Sequence, residues 1–374
     1  MMRLSITRLQ MPGMPGLVGL PRLLGLAALA LSLIGLALDA RLFFAAWLAA
    51  WWFCLGLMFG GVASVWMHRL SGGRWGELLA LPARALLRPL PWLLLLFLPL
   101  LAGLHTLYPW AGARAAWLAA MDQPRFAAAW FAPWSFGVRL LLYALLWGWL
   151  ARPRRVQSAA GAALALLVYM LLASLCAFDL LMALVPGWTS TVFGWLATLG
   201  QMTAGAAAAV VLAAWPTRNG AASNTASNGA PQPPVWRDLG NLLLMFVMMQ
   251  AYLQFVQFLI IWAENLPREI VWFVPRLQTG WRGVGVALML LQFALPFTAL
   301  LWRSVKDRPH RLALVAGWIV LMQGVDAAWL VVPSVQAHGW QAWWVLPLVF
   351  AGMTLLVFGR VGAALAAARG AGDD

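Results

Sequence analysis

The sequence predicts an all-α polytopic membrane helix bundle of about ten transmembrane helices, with both termini cytoplasmic. Three observations carry that expectation. Of 374 residues, 63% are hydrophobic and only 10% charged, against roughly 25% charged in soluble domains. Ten apolar stretches reach the length of about 20 residues with which a helix crosses a bilayer. The basic residues fall unequally on alternate connectors, as they do when topology sets them.

The spans are expected at 22–38, 42–66, 90–107, 133–151, 158–185, 190–215, 239–263, 281–302, 312–332 and 342–365. Pro and Gly recur within them, which packed membrane helices tolerate. Residues 69–89 are basic and contain proline, and they read as a connector able to form an interfacial helix. Residues 216–237, rich in Asn, Ser, Ala and Pro, have the composition of a flexible linker. They divide the chain into a six-helix part, 1–215, and a four-helix part, 238–374. No internal repeat relates the two.

Counting Lys and Arg by connector gives eighteen on the N-terminal side: Arg3, Arg8, Arg22, Arg69, Arg74, Arg84, Arg88, Arg152, Arg154, Arg155, Arg218, Arg237, Arg303, Lys306, Arg308, Arg311, Arg360 and Arg369. The other side holds six: Arg41, Arg114, Arg125, Arg268, Arg276 and Arg282. Arg139 lies inside the fourth span. This bias places both ends in the cytoplasm and accounts for the net charge of +14 without nucleic acid. Ala37-Leu38-Asp39-Ala40 resembles a weak signal-cleavage site. An even number of spans with both ends inside needs no processing, so a retained first helix is expected.

Cys54 and Cys176 are far apart, and no CxxC pair exists. His68, His105, His310 and His338 read as loop or helix-end residues, whereas a membrane haem takes axial ligands at depth. Neither zinc nor iron–sulfur spacing is present. The expectation is a chain without metal or haem.

The polar residues at depth are few. Gln250, Gln254, Gln257 and Glu264 fall within about 80° of one another on a helix, a polar stripe in an otherwise apolar span. Asp179 precedes Pro186 by seven residues, Asp326 precedes Pro333 by seven, and Arg139 follows Pro133 by six. Each therefore sits roughly 9–11 Å below the outer helix end. Arg139 is expected to pair with Asp179 or Asp326, the cheapest way to hold either charge in a membrane. One carboxylate is then left over, and such a group can exchange protons, as quinol oxidation requires. Two readings of the glutamines stay open. Amides across helix interfaces act as glue, worth about 0.6–2 kcal/mol each, or they line a ligand or water path. After the stripe, Arg268, Glu269, Trp272 and Arg276 form an aromatic connector of mixed charge. It is expected to be either a docking surface for a peripheral partner or a solvated loop.

Three segments resemble a known family. The first is Cys176-Ala177-Phe178-Asp179-Leu180-Leu181-Met182-Ala183-Leu184-Val185-Pro186-Gly187-Trp188-Thr189-Ser190-Thr191-Val192-Phe193-Gly194. The second runs from Asp238-Leu239-Gly240-Asn241-Leu242 through Tyr252, Phe255 and Gln257 to Trp262, Asn265-Leu266-Pro267 and Arg276. The third is Arg311-Leu312-Ala313 with Gln323, Val325-Asp326 and Trp329. Together they are similar to a divergent ActF-type membrane subunit of alternative complex III, the quinol:cytochrome c oxidoreductase of the NrfD/PsrC-like superfamily. The resemblance implies a cofactor-free subunit in the bacterial inner membrane. Its partners would be iron–sulfur and haem subunits, a sister NrfD-like membrane subunit and lipid, and its role quinol binding, proton movement or scaffolding. A secondary transporter or proton channel and an assembly factor for a terminal oxidase are the alternatives from other classes.

Overall fold

The computed structural model describes residues 15–121, 123–152, 156, 158–218, 233–338 and 342–370, and all of its regular elements are helical. In chain order the first half comprises α1 (Pro15–Leu38), α2 (Ala40–Ser71), α3 (Trp75–Leu87), α4 (Leu90–Leu95), α5 (Leu98–Ala102), α6 (Leu104–Leu107), α7 (Pro109–Gly112), α8 (Arg114–Ala119), α9 (Pro124–Trp130), α10 (Pro133–Leu150), α11 (Ala159–Leu180) and α12 (Phe193–Arg218). The second half comprises α13 (Pro233–Glu264), α14 (Pro267–Ile270), α15 (Val274–Leu277), α16 (Trp281–Leu288), α17 (Leu295–Leu301), α18 (Arg303–Lys306), α19 (Pro309–Val335) and α20 (Val345–Gly370). A π-helical segment, Met289–Ala294, joins α16 to α17.

Seven of the described helices are long and apolar enough to cross a membrane, or up to nine if each of two bent pairs counts as one span. The protein is therefore a multi-pass helical membrane bundle. The expected linker falls mainly on residues 219–232, which lie outside the described residues.

At the centre is α2. A helix apolar on every face belongs in a core, and every residue from Leu42 to Ser64 is buried. Around it pack α1, α3, α11, α12, α19 and α20, so the six-helix and four-helix parts share one core. The α2–α12 contact is the tightest. A Cβ on Gly60 would fall on the Gln201 carbonyl oxygen, and one on Gly205 on the Gly61 amide nitrogen. Small residues permit this backbone approach, which lets membrane helices associate without a hydrophobic driving force. At the edge, α1 runs antiparallel to α20, Gly25 lying against Gly352 and Gly35 against Val345. Asp39 caps α2 by accepting from the Leu42 amide, and its other oxygen accepts from Gln336 Nε2 at 2.7 Å.

The third expected span is corrected. Rather than one helix over 90–107 after an interfacial connector, α3 packs directly on α2. It then bends by 42° into the segment Leu90–Ala102. The stretch 90–107 breaks into α4, α5 and α6. The cause is Pro89, Pro91 and Pro99, which remove backbone donors and clash with the preceding turn. Two α2 tryptophans meet the freed carbonyls: Trp47 Nε1 donates to Leu96 O at 2.7 Å and Trp51 Nε1 to Leu93 O at 2.8 Å. Irregular backbone survives at membrane depth only when protein groups satisfy it in this way. The fourth span likewise begins early, with α9 bent by 55° onto α10 at Pro133.

Candidate functional site

The two aspartates buried among the described residues, Asp179 and Asp326, lie in different surroundings. Asp179, near the end of α11 and 1% exposed, faces α9 and α10. It accepts from Arg139 Nε at 2.7 Å, Arg139 Nη2 at 3.3 Å, Trp130 Nε1 at 2.8 Å and Tyr143 Oη at 2.7 Å. Arg139 also donates to Trp130 O at 2.6 Å and Ser135 Oγ at 2.9 Å. Its guanidinium carbon sits 4.2 Å from the Trp130 ring centre. Ser135, Arg139 and Tyr143 are spaced at i, i+4 and i+8, so one face of α10 presents all three. Between the two alternatives for Arg139, the partner is Asp179. Fully bonded on both sides, this pair holds α9, α10 and α11 together.

Asp326 is the carboxylate left over. It is 2% exposed on α19 and has no ion-pair partner among the described residues. Its donors are neutral amides: Gln250 Nε2 reaches Oδ2 at 3.2 Å and Gln254 Nε2 reaches Oδ1 at 3.3 Å. Gln323, one turn earlier on α19, exchanges two hydrogen bonds with Gln250, at 3.3 and 2.5 Å. From the π segment Gln292 faces the same carboxylate, its amide nitrogen buried without a well-formed hydrogen bond. That segment is where Pro296 interrupts the helix, and Trp318 Nε1 donates to the Leu291 carbonyl there at 2.8 Å. On the third side Gly200 of α12 lets backbone lie close. A Cβ there would sit 3.4 Å from Gln323 Oε1 and 3.9 Å from Asp326 Oδ2.

Asp326 also borders a cavity of ≈ 10 Å³, lined among others by Trp52, Gly200, Gln201, Gln323 and Leu330. That is space for about one water. Gln201 continues the polar line, accepting from Tyr169 Oη at 3.3 Å.

The glutamine stripe thus divides. Gln250 and Gln254 belong to Asp326. Gln257, buried, accepts instead from Ser190 Oγ at 2.6 Å, and Glu264 is exposed at the helix end. All four share one face of α13, but over 14 residues that face spans about 21 Å and passes different neighbours. A single cluster uniting the stripe with Asp179 and Arg139 does not form.

The connector after α13 is corrected in part. Trp272 is 3% exposed and stacks on Trp188 with ring centres 5.2 Å apart. Arg276 is fully buried, so neither belongs to a docking surface. Its guanidinium donates to Trp272 O at 2.6 Å, Trp329 O at 3.2 Å, Leu330 O at 2.6 Å and Ser334 Oγ at 2.9 Å. The reason is Pro333. Lacking an N–H, it leaves the Trp329 carbonyl without its helical donor, and Arg276 supplies one at the negative end of α19. Arg268 is exposed and Glu269 half-buried.

Sequence reading alone passes over Gln292, Gln201 and Tyr169. Gln323 carried a signal, lying three residues before Asp326 and hence on the same face.

No protein-family model matches this chain, and no curated protein matches it. Fold and site define its class, a multi-pass helical membrane protein with, among the described residues, one ion-paired and one amide-held buried aspartate.

Proposed function

We propose that this chain is a cofactor-free integral membrane subunit of a quinol-oxidising respiratory complex of the alternative complex III type. In this reading it crosses the bacterial inner membrane ten times, both termini are cytoplasmic, and its role is to move protons. Iron–sulfur and haem subunits and a sister NrfD-like membrane subunit are its partners. The observation that carries the proton role is the amide-held Asp326. A carboxylate accepts a proton and the resulting acid releases it, and one that no cation pairs is available for both steps. Gln250, Gln254 and Gln323 orient it. Glutamine does not titrate, so the proton must travel on Asp326 and on water, for which the adjoining cavity has room. That cavity is far too small for a quinone ring, which favours proton transfer over quinol binding at this position. Gln250, Gln254, Gln323 and Asp326 also lie within or beside the segments that resemble the family.

The test uses the chain purified with whatever assembles on it. Asp326→Asn is expected to lower quinol:cytochrome c turnover by about 10²–10⁴-fold, the usual worth of a proton-transfer group, with subunit composition unchanged. Unchanged turnover and proton release would overturn the proton role. A tagged chain that purifies with no iron–sulfur or haem protein would overturn the complex.

A further inference from the structure

A second cavity, of ≈ 40 Å³, lies where the ends of α2 and α10 meet α3. Three arginines from three elements line it: Arg69 of α2, Arg84 of α3 and Arg152 just after α10. The rest of the wall is apolar, Trp66, Leu87 and Leu150 among it. Among the described residues no carboxylate lies in ion-pair range of the three, the ion pairs being Arg139–Asp179 and Arg237–Asp307. Arg69 Nη1 is buried and has no hydrogen-bond partner.

Arg69 is half-buried while Arg84 and Arg152 are exposed; three like charges beside one cavity repel one another, and the buried Arg69 donor left unbonded is costly. An anion in the cavity relieves both. The cavity lies near the C-terminal ends of α2 and α10, beside the part of α3 that precedes its bend. Arginine matches phosphate through paired N–H donors, and basic pockets between membrane helices bind acidic headgroups. We infer that Arg69, Arg84 and Arg152 form a binding site for a phosphate group, carried by an anionic phospholipid or free in solution. The apolar wall beside the arginines suits the glycerol and acyl portion of a lipid.

The test is thermal unfolding and native mass spectrometry of the full chain in micelles. Three additions are compared: phosphatidylglycerol, phosphatidylcholine and inorganic phosphate. Phosphatidylglycerol is expected to raise the unfolding midpoint and to remain bound in the gas phase, whereas phosphatidylcholine does neither. An equal response to inorganic phosphate assigns the site to the free ion. The double variant Arg69→Gln/Arg84→Gln is expected to weaken phosphatidylglycerol binding on the order of thirtyfold, from about 1 kcal/mol per basic residue. Arg308→Gln, an exposed arginine elsewhere, should leave binding unchanged. If the double variant does not fold, Arg152→Gln, also exposed, serves in its place with a several-fold loss expected. The inference is overturned if neither anion responds, if phosphatidylcholine responds equally, or if Arg308→Gln weakens binding as much as the cavity variants.

Discussion

Replacing Asp179 by Asn should cost the bundle about 3–5 kcal/mol, the usual penalty for breaking a buried ion pair from one side. The carboxylate accepts four hydrogen bonds from three side chains. Asparagine keeps the shape but turns one acceptor into a donor, which then faces donors on either side. Arg139, whose side chain is 11% exposed, becomes a cation without a counter-charge, although the Trp130 carbonyl and Ser135 hydroxyl remain to it. At 1.4 kcal/mol per decade the folded-to-unfolded ratio should fall by at least about 100-fold. The assay is reversible unfolding in mixed micelles with increasing SDS, followed by tryptophan fluorescence. Asp179→Asn, Arg139→Gln and the double variant complete the cycle. The double variant should be less damaged than the sum of the two single ones by about 1–3 kcal/mol, because it leaves no lone charge. A cost below about 1 kcal/mol for Asp179→Asn, or strict additivity, would refute the assignment of this pair as a helix clamp.

Gly60→Ala should abolish or severely reduce folded protein, since the new methyl falls on the Gln201 backbone. Gly148→Ala, with nothing within 4 Å, should be neutral, and yield and monodispersity in detergent compare them. Trp51→Phe should cost about 1–3 kcal/mol by leaving the buried Leu93 carbonyl unpaired, and the SDS titration reads it. At the Arg-rich end, Arg237 donates to both oxygens of Asp307 at 2.8 and 2.9 Å. This holds the Asp307 carboxyl below its ordinary value of 3.8. A depressed folded value means that the stabilisation is complete above the ordinary carboxylate range and is lost as pH falls below it. Asp307→Asn should flatten that acid-side decline in thermal stability while changing little near neutral pH.

The membrane class and most spans were legible because hydropathy and length report directly on the bilayer. The third span was misread because its helix starts at Trp75, in a basic stretch, and is later cut by proline. Counting from the prolines gave Asp179, Asp326 and Arg139 the same distance from their helix ends and so could not choose between partners. The choice is made by α10 and α11 being neighbours, and Tyr143, one turn after Arg139, was an available clue. Periodicity grouped Gln250, Gln254, Gln257 and Glu264 correctly on one face. It could not show that α19 covers only two of them, with Ser190 facing Gln257 and the helix end leaving Glu264 exposed. Trp272 and Arg276 read as surface because they lie in a connector. Nothing local reveals that Pro333, more than fifty residues away, creates the need that Arg276 fills.

The central position of α2 bears on how the chain is made. α2 is synthesised well before α12, α19 and α20, yet these later helices cover it. Until then it must wait in lipid. Its lack of a polar face, which in the finished bundle marks it as core, makes that wait harmless. Asp326 arrives after Gln250 and Gln254 are in place. This buried carboxylate, which no cation pairs among the described residues, therefore meets its amide partners as soon as α19 inserts.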